Sequence, residues 1–186
     1  MGPGQIDSGG QAQVRPMRIA LIAKPGHADS GVGRYASRLG AALTALGHEV
    51  VIVHPAVPLP GWLAKAVQRL LGWDLRSFFE NYPVWARYPR ADLYHITSQN
   101  LATLMLFHRP PGRTVITVHD LIPWQVRADP ALRVYRHPLE AWFDRLALAG
   151  LRRADGLLAV STFTHDTLRR WDPQGKESTV ILEGVE

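Results

Sequence analysis

Residues 156–182 read GLLAVSTFTHDTLRRWDPQGKESTVIL, and this stretch decides the fold class. Residues 156–160 and 178–182 are short apolar runs, which are typical of buried strands. Thr162–Trp171 lies between them and is predicted to be a helix. Because two strands joined through a helix need a crossover connection, the stretch predicts a parallel strand pair covered by a helix.

The same alternation of apolar runs and helical segments extends back to residue 17. The predicted strands are 17–23, 49–53, 92–96, 114–118, 156–160 and 178–182. The predicted helices are 34–46, 62–71, 100–107, 138–153 and 162–171. Repeated crossovers of this kind build a sheet with helices on both faces. We therefore predict a Rossmann-like α/β domain with a doubly wound parallel sheet.

The composition is that of an ordinary globular chain. Its 186 residues suit one α/β domain, and 46% hydrophobic with 20% charged residues exclude a wholly disordered chain. It has no cysteine, which excludes disulfides, thiolate nucleophiles and cysteine-based zinc sites. Its longest apolar stretches are about seven residues, whereas a spanning helix needs about 20, so we do not expect an integral membrane protein.

The formal net charge of +5 suits anionic partners such as phosphates or anionic lipids. No nucleic-acid-binding motif accompanies this charge, so we do not expect nucleic acid as a partner. Residues 1–15 are rich in glycine and glutamine and lack the apolar region of a signal peptide. They are predicted to form a flexible tail before a single domain of residues 16–186.

Polar side chains gather where the predicted strands end. In open parallel sheets, ligands bind beyond the carboxyl ends of the strands, near the point where strand order reverses. The polar residues after these ends are His27, Asp29, Thr97, Ser98, His119, Asp120, Ser161 and Thr162. Hydroxyl, imidazole and carboxylate groups suit a polyhydroxylated ligand such as a sugar. The alternative is that Ser98, Ser161 and Asp120 only cap helices or turns.

Residues 31–36, GVGRYA, match the G-x-G-x-x-[GA] dinucleotide fingerprint and open a predicted helix. Two features argue against a dinucleotide: Gly31 lies eight positions after the strand's last residue, and His54, not an acid, ends the second strand. Gly31 and Gly33 would still let a ligand approach the backbone, and free N–H groups at the helix start suit an anion. A plain glycine-rich turn is the alternative.

Five segments, in order, carry a resemblance to a known family. They are SGVGRYASRLGAALTALGHEV (30–50), ADLYHITS (91–98), TVITVHDLIPW (114–124), RRADGLLAVSTFTHDTL (152–168) and TVILEGVE (179–186). The chain resembles the N-terminal half of a GT-B-fold glycosyltransferase, of the retaining, metal-independent group that includes bacterial mannosyl- and glucosyltransferases. At the expected crossing to a second domain, Glu183 replaces the usual asparagine and Glu186 the usual aspartate.

The resemblance implies that residues 16–186 are the acceptor-binding domain and that a nucleotide-sugar domain lies outside this chain. The chain alone would then be inactive. The expected reaction moves a hexose, mannose or glucose, from a nucleotide-sugar to a glycan or lipid-linked acceptor with retention and without a cofactor. The expected location is the cytoplasm, peripherally at the inner face of the membrane.

The same resemblance assigns roles to single residues. His119 matches the histidine that faces the donor sugar, and neutral imidazole can both donate to and accept from a hydroxyl. Asp120 is expected to orient His119 or the following loop, and Ser161 to line the acceptor side. Gly31 and Gly33 match the loop beneath the donor diphosphate. The remaining donor- or acceptor-binding candidates are Arg34, Ser98 and Thr162. None is expected to be a general base or nucleophile, because retaining relatives resemble front-face transferases that act by positioning.

The predicted helix 62–71 separates apolar from basic residues. Its apolar side holds Trp62, and its polar side holds Lys65 and Arg69. A basic amphipathic helix can lie on an anionic membrane, which the sequence offers as a membrane-surface hypothesis. The alternative is a surface helix packed on the core.

Two other functions stay open at this point. The glycine match permits an NAD(P)-dependent Rossmann enzyme. The amphipathic helix permits a noncatalytic module that binds a membrane or a protein partner.

Overall fold

The computed structural model describes residues 15–25, 31–132, 135, 137–176 and 178–182, and only the backbone of Val32 and Pro130. The strands are Arg18–Ile22 (β1), Glu49–Val53 (β2), Leu93–Ile96 (β3), Thr114–Val118 (β4), Gly156–Ala159 (β5) and Ser178–Val180 (β6). The helices are Gly31–Ala45 (α1), Gly61–Leu71 (α2), Leu75–Asn81 (α3), Leu104–Phe107 (α4), Ile122–Gln125 (α5), Pro138–Leu151 (α6) and Thr162–Trp171 (α7). Two 3-10 helices span Gln99–Thr103 and Pro130–Leu132. Within the described residues, no helix has both the length and the apolar character to span a bilayer.

All six strands are parallel and lie in the order β2-β1-β3-β4-β5-β6. The order reverses after β2, so the topological switch point lies between β1 and β3. Because crossovers are right-handed, the connection toward β2 and those toward β6 lie on opposite faces of the sheet. The predicted doubly wound, Rossmann-like fold is confirmed.

The two faces of the sheet pack against different helices. On one face, a Cβ on Gly40 of α1 would lie 3.4 Å from Leu21 and 3.8 Å from Val50. On the other face, buried strand residues such as Ile96 and Ile116 share a core cluster with residues of the 3-10 helix, α4, α6 and α7. The main hydrophobic core therefore lies between the sheet and these C-terminal helices.

A second, aromatic cluster joins α3 to α6. Its buried members are Phe78 and Tyr82 with Phe143 and Ala147 of α6. The Phe78 and Phe143 rings meet edge to face with centroids 4.9 Å apart. Asp74 caps α3 by accepting a hydrogen bond from Ser77 N at 3.0 Å. This cluster fixes α3 near the end of the sheet where the strands terminate.

Several element boundaries differ from the prediction. Helix α1 begins three residues earlier, at Gly31, because glycine is tolerated in the first helical turn. The predicted helix 100–107 is a 3-10 helix followed by one short α-helix. Strands β1, β3, β5 and β6 are one or two residues shorter than predicted.

Candidate functional site

The site is built where β1, β3 and β4 end, which we call the carboxyl edge. Thr97 follows β3, and its hydroxyl donates to the carbonyl of Ile22 at the end of β1, at 3.0 Å. The Nε2–H of His119, which follows β4, donates to the carbonyl of Thr97 at 2.9 Å. These two bonds fix the ends of three adjacent strands relative to one another.

His119 is half-buried and held on several sides. Its backbone N–H donates to Gln99 Oε1 at 3.1 Å, and its carbonyl accepts from the Thr164 hydroxyl at 3.0 Å. The ring meets Tyr35 of α1 edge to face, with centroids 5.1 Å apart. Since Nε2 donates to a carbonyl, Nδ1 is the unprotonated nitrogen whenever this ring is neutral. The predicted position at a strand end is the observed one.

A buried polar cluster beneath His119 was not anticipated from the sequence. The Thr117 hydroxyl lies 2.8 Å from both the Tyr35 hydroxyl and Nε2 of His95. Burial, with a smaller contribution from nearby His119, lowers the pKa of His95 to about 4. His95 is therefore neutral at pH 7. In the sequence, its position within the strand LYHI was the only indication that a histidine is buried here.

Asp120 acts on the loop that follows it. Its Oδ1 accepts a hydrogen bond from the backbone N–H of Ile122 at 3.2 Å, at the start of α5. This bond links Asp120 to the following loop, and its expected role toward His119 stays a prediction.

Ser161 caps a helix with its side chain, whereas Ser98 does not. Ser161 is the N-cap of α7 and accepts from Thr164 N at 3.1 Å, as in the capping alternative. Ser98 is buried before the 3-10 helix and makes no side-chain cap. Thr162 begins α7 and is exposed.

The start of α1 lies beside His119, because Tyr35 in its second turn contacts that ring. A Cβ on Gly31 would meet no atom within 4 Å among the described residues. Gly33 is half-buried and Arg34 is exposed.

Two polar residues of the preceding segment, His27 and Asp29, lie outside the described residues. The same holds for Glu183 and Glu186 at the predicted domain crossing and for residues 1–14 of the predicted tail.

A cavity of about 220 Å³ opens at the carboxyl edge between the 3-10 helix, α5 and α6. Its polar lining includes Gln99, Asn100, Asp120, Tyr135, Glu140 and Asp144. No lysine or arginine is among the described residues that line it. We call this the acidic cavity, because the carboxyl groups of Asp120, Glu140 and Asp144 line it and none of its described lining residues is basic.

Asp144 is the most buried carboxyl group of the acidic cavity, with an exposed fraction of 8%. It accepts a hydrogen bond from the Tyr135 hydroxyl at 2.7 Å. Burial raises the pKa of Asp144; the Tyr135 bond opposes that rise, and the charge of Asp120 adds to it. Burial and the bond to Asp144 likewise raise the pKa of Tyr135. No local pattern in the sequence indicates this pair.

Lys24 places a cation at the switch point, immediately after β1. Its ammonium donates to Asn81 Oδ1 at the end of α3. Burial lowers the pKa of Lys24, and the nearby Glu80 partly offsets that effect. Lys24 thus ties α3 to the carboxyl edge.

Trp62, Lys65 and Arg69 lie on α2, and all three are exposed. They form a surface separate from the residues gathered around His119. Across the described part of the chain, no group of three or more His, Asp or Glu side chains is arranged to hold a metal ion.

Comparison with known proteins identifies one family and several solved structures of similar fold. The family model for Glycosyltransferase Family 4 matches residues 30–186. No curated protein shows significant sequence similarity to the chain.

Two solved structures illustrate the similarity in fold. One is an alpha-glucosyltransferase in complex with UDP-glucose and DNA containing an abasic site, 17% identical with a TM-score of 0.47; the alignment covers 90% of this chain and 42% of that chain. The other is a sucrose-phosphate synthase from Thermosynechococcus elongatus, 18% identical with a TM-score of 0.46, over 91% of this chain and 90% of that chain. The chain thus spans less than half the length of the glucosyltransferase, and similarity at this level concerns the fold alone.

Proposed function

Because the chain belongs to glycosyltransferase family 4, we propose that it forms the acceptor-binding half of a retaining hexosyltransferase. The hexose is mannose or glucose, the donor is a nucleotide-sugar, and the acceptor is a glycan or a lipid-linked sugar. The reaction takes place at the cytoplasmic side of a membrane and uses no cofactor.

The observation that carries the proposal is that the family match includes the ends of β3 and β4 with the polar residues Thr97, His119 and Asp120. His119 directly follows β4 there, and its ring is oriented by the Thr97 carbonyl and by its edge-to-face contact with Tyr35. A fixed imidazole can hydrogen-bond a sugar hydroxyl without a large loss of side-chain entropy on binding. We therefore assign His119 to the donor sugar, with Gly31 and Gly33 of α1 on the same side.

We assign the acceptor to the acidic cavity. The Asn100 amide lines it and makes no hydrogen bond to the described residues, so a ligand that binds it displaces water and breaks no bond within the described structure. The carboxyl groups of Asp144 and Glu140 can accept hydrogen bonds from hydroxyl groups. Because carboxylates repel phosphate, the part of the acceptor that enters is a neutral, hydroxyl-rich sugar ring.

Transfer needs a second domain in this proposal, because the family resemblance assigns the nucleotide-sugar to a domain other than the one described here. The described residues then act by positioning. His119 and the acidic cavity place the two sugars, and the leaving phosphate of the donor assists the attack. Residues 16–186 alone are expected to bind an acceptor and not to turn over.

A neutral glycoside that binds the acidic cavity should stabilise the folded chain. We expect methyl mannoside or methyl glucoside to raise the melting temperature. At a concentration of about one hundred times its Kd, the glycoside should add about 2.7 kcal/mol to the free energy of unfolding. The corresponding hexose 6-phosphates should give a smaller shift. Asn100→Ala should weaken the stabilisation without lowering the melting temperature of the free chain, since its amide has no partner to lose. Thermal unfolding followed by circular dichroism measures both.

Gln68→Ala, an exposed amide on α2, is the matched control and should bind the glycoside normally. Stabilisation by NAD(H) or NADP(H) instead would contradict the proposal and restore the dinucleotide alternative. A phosphate-bearing hexose that stabilises more than the neutral glycoside would contradict the assignment of the acidic cavity.

A further inference from the structure

Helix α2 carries an exposed apolar surface, and none of its residues is buried. The exposed fractions are 72% for Trp62, 82% for Leu70 and 74% for Leu71. These are three of the four most exposed large hydrophobic side chains in the described part of the chain. Exposed apolar side chains gathered on one element mark an interaction surface.

The basic residues of α2 lie beside this apolar surface. Trp62, Ala66 and Leu70 follow one another at spacings of four residues, so they form one stripe along the helix. Lys65 and Arg69, also four apart, form the adjacent stripe. The half-buried Leu63 and Val67 lie on the opposite side of the apolar stripe, toward the domain. The solvent-facing surface of α2 is therefore both apolar and cationic.

The charge of this surface is not compensated locally. Helix α2 has no acidic residue, and Lys65 and Arg69 form no ion pair with any described residue. A surface that combines tryptophan, leucine and unpaired cations matches the boundary of an anionic bilayer, where acyl chains lie below a layer of phosphates. A water-facing helix that packs on the core would instead bury its leucines.

We propose that α2 docks this chain on an anionic lipid surface. Trp62 and Leu70 enter the boundary between headgroups and acyl chains, and Lys65 and Arg69 contact lipid phosphates. This inference goes beyond the proposed transfer, because lipid binding through α2 needs no sugar, donor or second domain.

Docking through α2 would hold the carboxyl edge close to the bilayer. Gly72, in the left-handed conformation at φ 67°, ends α2 and turns the chain into α3. Helix α3 ends at Asn81, which accepts the hydrogen bond of Lys24 at the switch point. One short helix thus separates the docking surface from the site.

The test is co-sedimentation of the 186-residue chain with vesicles of phosphatidylcholine containing about 30 mol% phosphatidylglycerol, against phosphatidylcholine alone. Lys65→Glu with Arg69→Glu should weaken binding to anionic vesicles by roughly tenfold or more, and Trp62→Ala with Leu70→Ser should do the same. The matched control, Arg113→Glu with Arg153→Glu, changes the net charge equally with two exposed arginines that precede β4 and β5, at the opposite edge of the sheet. It should bind within about twofold of the unchanged chain.

Four outcomes would overturn the inference. They are no binding to anionic vesicles, equal binding to phosphatidylcholine alone, unchanged binding by both α2 variants, and an equal loss of binding in the control.

Sedimentation velocity without lipid tests whether the same surface instead binds a second copy of the chain. A dimer that the α2 variants dissociate, with no vesicle binding, would assign the surface to a second copy of the chain. Because the substituted side chains are exposed, the melting temperatures of all variants should match that of the unchanged chain.

Discussion

Gly150→Ala should destabilise the protein by about 3 kcal/mol or more, because α6 contacts the 3-10 helix Gln99–Thr103 at this residue with no room for a methyl group. A Cβ on Gly150 would lie 2.0 Å from the carbonyl oxygen of Ala102 and 2.7 Å from its carbonyl carbon. Both atoms are backbone, so the clash cannot be relieved by a side-chain rotation. The two helices must separate, and the melting temperature should fall by about 6–12 °C.

Gly61→Ala is the matched control for this substitution. A Cβ on Gly61 would meet no atom within 4 Å, and the residue begins an α-helix, so alanine should be neutral or slightly stabilising. Separation of α6 from the 3-10 helix would also move Asp144 away from Asn100, so Gly150→Ala should lose glycoside binding as well. A melting temperature unchanged by Gly150→Ala would mean that the two helices are not in contact.

The sheet could be predicted from the sequence because its signals are local. The runs Glu49–Val53 and Thr114–Val118 are rich in valine and isoleucine, and both strands are observed with these bounds. Thr162–Trp171 also has its predicted bounds, since Ser161 is an N-cap that can be recognised one residue before the helix. The parallel, doubly wound arrangement then followed from crossover geometry.

The elements that were not predicted are short or depend on distant contacts. Helix α3 has seven residues, and Phe78 and Phe79 give it an apolar side only once α6 is packed against it. The 3-10 helix Gln99–Thr103 is stabilised by its contact with α6, through Ala102 and Gly150. Local pattern cannot reveal such contacts, because they join residues that are distant in the chain.

The candidate site likewise has one part that local sequence patterns predict and another that depends on contacts between distant residues. His119 and Asp120 were found because polar residues directly after a buried strand must lie at the carboxyl edge. Asp144 lies inside a helix, and its burial beside Tyr135 arises only from the packing of α6. Lys24 follows a strand, but its burial depends on Asn81 of α3. The position of His119 at the carboxyl edge was therefore predictable from sequence, and the acidic cavity was not.

His95 makes the stability of the fold depend on pH. It is 5% exposed, and burial together with His119 lowers its pKa from 6.5 to about 4. In the unfolded chain the imidazole binds a proton below about pH 6.5, whereas in the folded chain it stays neutral until about pH 4. The unfolded state thus binds more protons throughout this range, so stability falls as the pH is lowered. The full loss is about 3 kcal/mol once the pH is below 4.

His95→Gln should abolish this part of the pH dependence, because an amide can still hydrogen-bond the Thr117 hydroxyl but does not titrate in this range. Urea unfolding at pH 7 and pH 5 measures the effect. Between pH 7 and pH 5 the unchanged chain should lose about 2 kcal/mol more stability than the variant. At pH 5, protonation of this histidine in the unfolded chain has produced about 60% of its full destabilising effect. His95→Asn is the companion variant and should show the same reduced slope even if its shorter amide costs stability at both values. An equal loss in all three proteins would mean that His95 titrates normally, and hence that the pocket beneath His119 is open to water.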